Sequence, residues 1–80
     1  MKAYWRDITD NHECPHTSKA EGLFGVGGKV LATVEDSTVN GRWYGNAIDL
    51  AGNLHHSGPL VTYEACRDWC ENMAGVRLRH

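Results

Sequence analysis

The stretch Gly41-Arg42-Trp43-Tyr44-Gly45-Asn46-Ala47-Ile48-Asp49-Leu50 runs through an Ala51-Gly52-Asn53 turn and past Gly58-Pro59-Leu60-Val61 into Thr62 and a segment closed by Gly75. It decides the fold, because it delivers the chain from a hairpin strand into one helix that must lie across a sheet. Thr62 is a good N-cap, since its hydroxyl accepts from the unpaired N–H groups of the first turn. Glu64 and Asp68 lie early, where negative charge suits the helix dipole. Cys66, Trp69, Cys70 and Met73 recur at i, i+3, i+4 and i+7 and so share one face, flanked by Ala65. Gly75 is placed to take the left-handed C′ conformation that ends a helix.

Working outward, Lys29 to Glu35 reads as a strand, with Val30, Ala32 and Val34 alternating against Leu31, Thr33 and Glu35. Asn40-Gly41 is a strong hairpin dipeptide, and Arg42 to Leu50 returns as the next strand. Trp43, Gly45 and Ala47 point one way; Tyr44, Asn46, Ile48 and Leu50 point the other. Gly45 between Trp43 and Ala47 marks a close approach by another backbone or ring. Ala3 to Thr9 reads as a first strand, Asp10 to Ala20 as an irregular loop around Pro15, and Gly22 to Gly28 as a tight turn or bulged strand start. Leu54 to Ser57 adds a short strand, and Val76 to Arg79 an edge strand or tail. The fold class is α+β: a small antiparallel sheet of three to five strands with one C-terminal helix packed across one face, in a single domain spanning 1–80. The expected core is Val30, Ala32, Val34, Ile48, Leu50, Leu60, Val61, Cys66, Trp69, Cys70 and Met73.

Composition narrows the function. With 80 residues, 41% apolar and 22% charged, the chain is a small globular domain without room for a deep cleft. The net charge of −2 and the lack of a basic run argue against direct nucleic-acid binding. No apolar run is long enough to span a bilayer, and the first residues lack a signal peptide's apolar region. Three cysteines leave a disulfide scaffold unbalanced, so reduced thiols in a cytoplasmic location are expected.

Chemical motifs are few. His12-Glu13-Cys14-Pro15-His16 spells the metalloprotease pattern, but Pro15 disfavours the helix that this chemistry needs. A structural zinc site is the alternative for these residues, with Cys14 and His16 (or His12) on the loop joining Cys66 and Cys70 from the helix in a tetrahedron. Against it, Cys66 and Cys70 lie on the apolar stripe, where buried cysteine is an ordinary core residue, and no cofactor is then required. His55-His56 read as solvated turn residues. Gly25-Val26-Gly27-Gly28-Lys29 lacks the Gly-Lys-Ser/Thr ending and following helix of a phosphate loop. No catalytic constellation emerges, and the chain is not expected to be an enzyme.

The run Gly41-Arg42-Trp43-Tyr44, then Gly58-Pro59 and Thr62-Tyr63-Glu64-Ala65, resembles the sheet-then-helix units of small phage-encoded proteins. In size, slight acidity and single-domain make-up the chain is similar to anti-CRISPR proteins. That family has no shared signature, so the resemblance implies a kind of function and no particular residues. The same helix-entry run resembles the arm-type DNA-binding domain of phage integrases, whose basic sheet is missing here. The expectation is a phage or mobile-element protein that inhibits a host protein complex, a CRISPR effector, by protein–protein binding. Trp43 or Tyr44 would anchor it, and Glu35, Asp36 and Asp49 would be contacts near the hairpin. A zinc-stabilised module binding nucleic acid or protein is the alternative. Exposed sheet edges and one open face also leave homodimerisation open.

Overall fold

The computed structural model describes residues 3–9 and 17–76. Five strands, β1 (Tyr4–Asp7), β2 (Ala20–Phe24), β3 (Val30–Asp36), β4 (Trp43–Ile48) and β5 (Leu54–Leu60), form one antiparallel sheet in the order of the chain. One helix, α1 (Tyr63–Ala74), follows and crosses a single face. The architecture is the expected α+β layer, with the full five strands.

The helix begins and ends where its capping residues dictate. Thr62 Oγ1 accepts from the Ala65 N–H at 3.1 Å. At the other end Gly75 takes φ +71°. Its N–H donates to Asn72 O at 3.3 Å and the Val76 N–H donates to Glu71 O at 2.9 Å. This pair of bonds is a Schellman motif, which satisfies carbonyls that the helix itself cannot. Val76, buried at 3% exposure, closes the motif with an apolar contact. The expected strand or tail after Val76 lies outside the described residues.

What positions the helix is the lack of a side chain at Gly45. A Cβ there would fall 2.9 Å from Cys70 Sγ, 3.0 Å from the Trp69 ring and 3.1 Å from Cys66 Sγ. Val34 and Ala47 lie on the same face, cross-strand from or alongside Gly45, and both are buried. The core is therefore Leu23, Ala32, Val34 and Ala47 from the sheet against Cys66, Cys70, Ala74 and Val76. Cys70 Sγ also reaches Thr33 O at 3.5 Å. A second cluster pins the helix to the far side of the sheet. The Arg67 guanidinium lies 4.9 Å from the Trp5 ring and 5.5 Å from that of Tyr63. Trp5 Nε1 donates to the buried Glu71 carboxylate at 2.8 Å, and Tyr63 donates its hydroxyl proton to Glu21.

Several expected core residues lie elsewhere, each for a physical reason. Leu23 pairs with Ala32 but Phe24 pairs with Val30, so Leu31 is an extra residue on β3. This bulge turns Val30 to the opposite face, where it is 44% exposed, while Leu31 packs against the core. Ile48 follows the β4 alternation onto the face away from the helix. Leu50 and Val61 lie in turns and are 78% and 71% exposed. Leu60, Trp69 and Met73 line the core only in part. Of the segment Gly22 to Gly28, expected as a tight turn or a bulged strand start, the first three residues belong to β2, which starts at Ala20 and meets a bulge at Leu23/Phe24, and Val26–Gly28 form a single 3-10 turn. A Cβ on Gly22 would meet the Phe24 ring at 2.9 Å, so this glycine serves packing. The β3–β4 connection is a longer loop than the two-residue turn that Asn40-Gly41 favours. Gly41 alone has a positive φ, and Ser37 and Arg42 close the loop at 2.8 Å.

Gly45→Ala is expected to lower stability by about 1–3 kcal/mol, because the helix must move off the sheet to admit a methyl group. In a Cys70→Ala background, where the nearest sulfur is gone, the same substitution should cost less. Urea unfolding of the two single variants and the double variant measures the difference. Strictly additive losses would show that Gly45 is not the point of contact.

Candidate interaction face

The sheet has a second face, which no described element covers. Strand alternation and register place its side chains in three rows across the five strands. One row, all apolar or aromatic, combines Tyr4, Phe24 and Val30, paired through β1–β2–β3, with the pair Ile48 and Leu54, the two groups meeting where Val30, Ile48 and Leu54 line one groove. The next is Arg6, Gly22, Thr33, Asn46 and His56, polar apart from the glycine. The third is Ile8, Ala20, Glu35, Tyr44 and Pro59.

The apolar row is continuous. Tyr4 and Phe24 stack with ring centroids 5.7 Å apart and an interplanar angle of 20°, and the Phe24 ring lies over bare Gly22. Val30, Ile48 and Leu54, with Thr33 and Asn46 of the next row, line a shallow groove of about 150 Å³. Tyr4 is 52% and Leu54 60% exposed. Single exposed apolar side chains are ordinary, but a row of five across a sheet is a contiguous patch of the kind that marks an interaction site.

The polar row is internally ordered. Asn46 Nδ2 donates to Thr33 Oγ1 at 3.3 Å. Asn46 Oδ1 is therefore the acceptor toward His56 Nδ1, which fixes the Nδ1–H tautomer and leaves Nε2 of the neutral ring as an acceptor. Asn46 thus joins three strands on the open face.

The residues singled out from the sequence separate when placed on this frame. Tyr44 is on the open face, with its hydroxyl accepting from Asn40 Nδ2 at 2.7 Å. Trp43 is on the covered face, edge-on to Tyr63 at 5.1 Å. Glu35 lies beside Tyr44 on the open face, cross-strand from it. Asp36 ties the segment before β2 to the end of β3. Its carboxylate accepts from the Ser18 and Lys19 N–H groups at 2.8 Å each and from the Ser18 hydroxyl. Burial works to raise its pKa, but these hydrogen bonds outweigh burial and hold it below the usual value. Asp49 closes the turn to β5, accepting from Ala51 and Asn53 N–H groups at 2.9 Å each and pairing with His55 Nε2 at 2.7 Å. The His55 contact, then the Asn53 N–H, depress its pKa to about 2. Both aspartates are thus committed to shaping loops. The two histidines are strand residues on opposite faces, not part of a turn.

Cys66 and Cys70 are fully buried free thiols. Hydrogen bonding between them lowers the pKa of Cys66; the same bond, together with burial, pushes that of Cys70 well up. Their place is the helix–sheet contact at Gly45. Cys14, His16 and the rest of the His12–His16 motif lie outside the described residues. Among the described residues no group of three or more histidine, cysteine or acidic side chains is arranged to hold a metal.

Sequence reasoning missed the apolar row as a unit. Tyr4 and Leu54 each read as an isolated strand residue, Phe24 as part of a tight turn or bulged strand start, and Val30 and Ile48 as core. The signal available was the alternation of β4 taken with Gly45: once the bare position faces the helix, Ile48 must face away. No family model matches the sequence, and comparison with characterised proteins and with solved structures finds no match. No described helix is long and apolar enough to cross a membrane.

The depressed pKa of Asp49 carries a pH dependence. The ionised group contributes stability that is fully present above the ordinary value of 3.8 and is lost as pH falls through about 2. Asp49→Asn should therefore flatten the loss of thermal stability across that acid range, with little change in slope near neutral pH. An unchanged acid limb would show that Asp49 does not hold the turn.

Proposed function

We propose that this protein is a binding module which acts without catalysis, by docking the uncovered face of its sheet on a protein partner. The observation that carries this reading is the apolar row on the uncovered face, with Tyr4, Val30 and Leu54 exposed and Phe24 and Ile48 half-buried between them, beside an ordered polar row. Fully burying side chains of this size contributes about 1.5–3 kcal/mol each, which makes such a row a competent centre for an interface. Exposed strand edges fit worse as the docking element. The outer strand β5 contains Pro59, and β1 is only four residues long, both of which discourage strand addition.

The resemblance in size and architecture to anti-CRISPR proteins supports a specific target, a host CRISPR effector complex, with the chain working inside the host cell as an inhibitor encoded by a phage or mobile element. The mode of contact then differs from an acidic surface filling a basic groove. Asp36 and Asp49 serve their loops, so Glu35 with Tyr44 is the acidic and aromatic pair that borders the docking face.

Phage plaquing on hosts with active CRISPR effectors of different types tests the proposal. Expression of the wild-type chain should restore plaquing in at least one of them. Ile48→Asp with Leu54→Asp should abolish the effect while circular dichroism shows the fold intact. Restoration by the double variant would sink the open-face reading, and no restoration by the wild type in any host would sink the target.

A further inference from the structure

We infer that the occupant of the open face is an amphipathic α-helix of the partner, lying across the strands along the apolar row, with a carboxylate on the flank that meets Arg6. This rests on the open-face reading above and names the partner's chemistry.

The shape of the row is the first argument. It is one residue wide and crosses five strands, about 19 Å at the usual strand spacing. A flat protein surface would call for an apolar patch extending along the strands as well. Along the strands the face instead turns polar within one row, at Thr33, Asn46 and His56. A long narrow apolar strip bordered by polar groups is the complement of a helix stripe, whose residues recur each turn along one line. About 13 residues of helix cover the same length. The groove between Ile48 and Asn46 runs at the border of the two rows and suits a stripe side chain of that helix.

Charge gives the second argument. Arg6 lies at the β1 end of the polar row, and among the described residues no carboxylate pairs with it. Glu35 is one row further from the stripe. The flank of a helix seated on the stripe therefore meets a cation at one end, where a glutamate completes the contact, and the polar edge of the His56 ring at the other.

The probe is a lactam-stapled peptide helix of about four turns with a leucine stripe and a glutamate on one flank. The control peptides replace the glutamate by lysine or the leucines by serine. Amide chemical shifts and fluorescence anisotropy are measured with the full chain. The glutamate peptide should bind best, moving the resonances of Tyr4, Val30, Asn46, Ile48 and Leu54 and leaving those of Trp43 and Cys70 in place. The serine peptide should not bind. Arg6→Glu should shift preference toward the lysine peptide by about fivefold, the size of one exposed charge pair. Equal binding of the serine peptide, or shifts on the helix side of the sheet, overturns the proposal. Absence of binding by every peptide, with Ile48→Asp and Leu54→Asp together still abolishing the restoration of plaquing, discards the helical occupant but keeps the open-face reading. Concentration-dependent dimerisation that Ile48→Asp removes would replace the partner helix by a second copy.

Discussion

One close approach governs this fold: two cysteine sulfurs and an indole ring resting on the bare backbone of Gly45. A helix lies at its usual distance from a sheet when side chains from both sides fill the space. Here the sheet contributes almost none at the point of contact, and Ala32 and Ala47 nearby keep the floor low. The helix in turn offers small thiols. The two layers come together closely, and the large residues Trp5, Trp43 and Tyr63 are pushed to the margins, where they are only partly buried. A core of alanine, valine, cysteine and one leucine is small even for a chain of this size, so the marginal aromatics and the Arg67 cluster carry a large share of the packing.

That same contact determines which face of the sheet is left open. Strand alternation assigns residues to two sets but does not say which set the helix takes. Gly45 breaks the tie, and it does so against hydrophobicity: the helix takes Gly45 and Ala47 and leaves Ile48 outside. The bulge at Leu31 then adds Val30 to the outer set. The open face thus owes its apolar character to two backbone features, a glycine and an inserted residue, and not to an unusually hydrophobic sequence.

The helix and the β3–β4 hairpin were legible in the sequence because their signals are local. Thr62, Gly75 and the i, i+3, i+4, i+7 stripe each act within a few residues, and all three hold. The sheet beyond them was less legible. Gly22 resembles a turn residue until the Phe24 ring is seen lying over it, a relation set by neighbouring strands. The bulge has no composition of its own, so Val30 read as core. Asp36 and Asp49 read as surface acids because their partners, Ser18, Lys19 and His55, come together only when the strands do. Of the candidate site, alternation separates Tyr44 from Trp43 without saying which of them faces out, and the apolar row is a property of register between five strands that could not be seen from any one of them.

The bond from Trp5 to Glu71 spans 66 positions of the chain. In a meander of strands nearly every other pairing joins neighbours in sequence, so the sheet can assemble stepwise by short loop closures. The first strand is different, since its contact with the helix requires the whole intervening chain to be in place. That arrangement couples the first strand to the helix: β1 is held by its pairing with β2 and, once α1 is in place, by this bond as well. Such a clasp ties the edge of a ladder of hairpins to the layer packed on it, so that fraying of β1 is opposed from the helix as well as from β2.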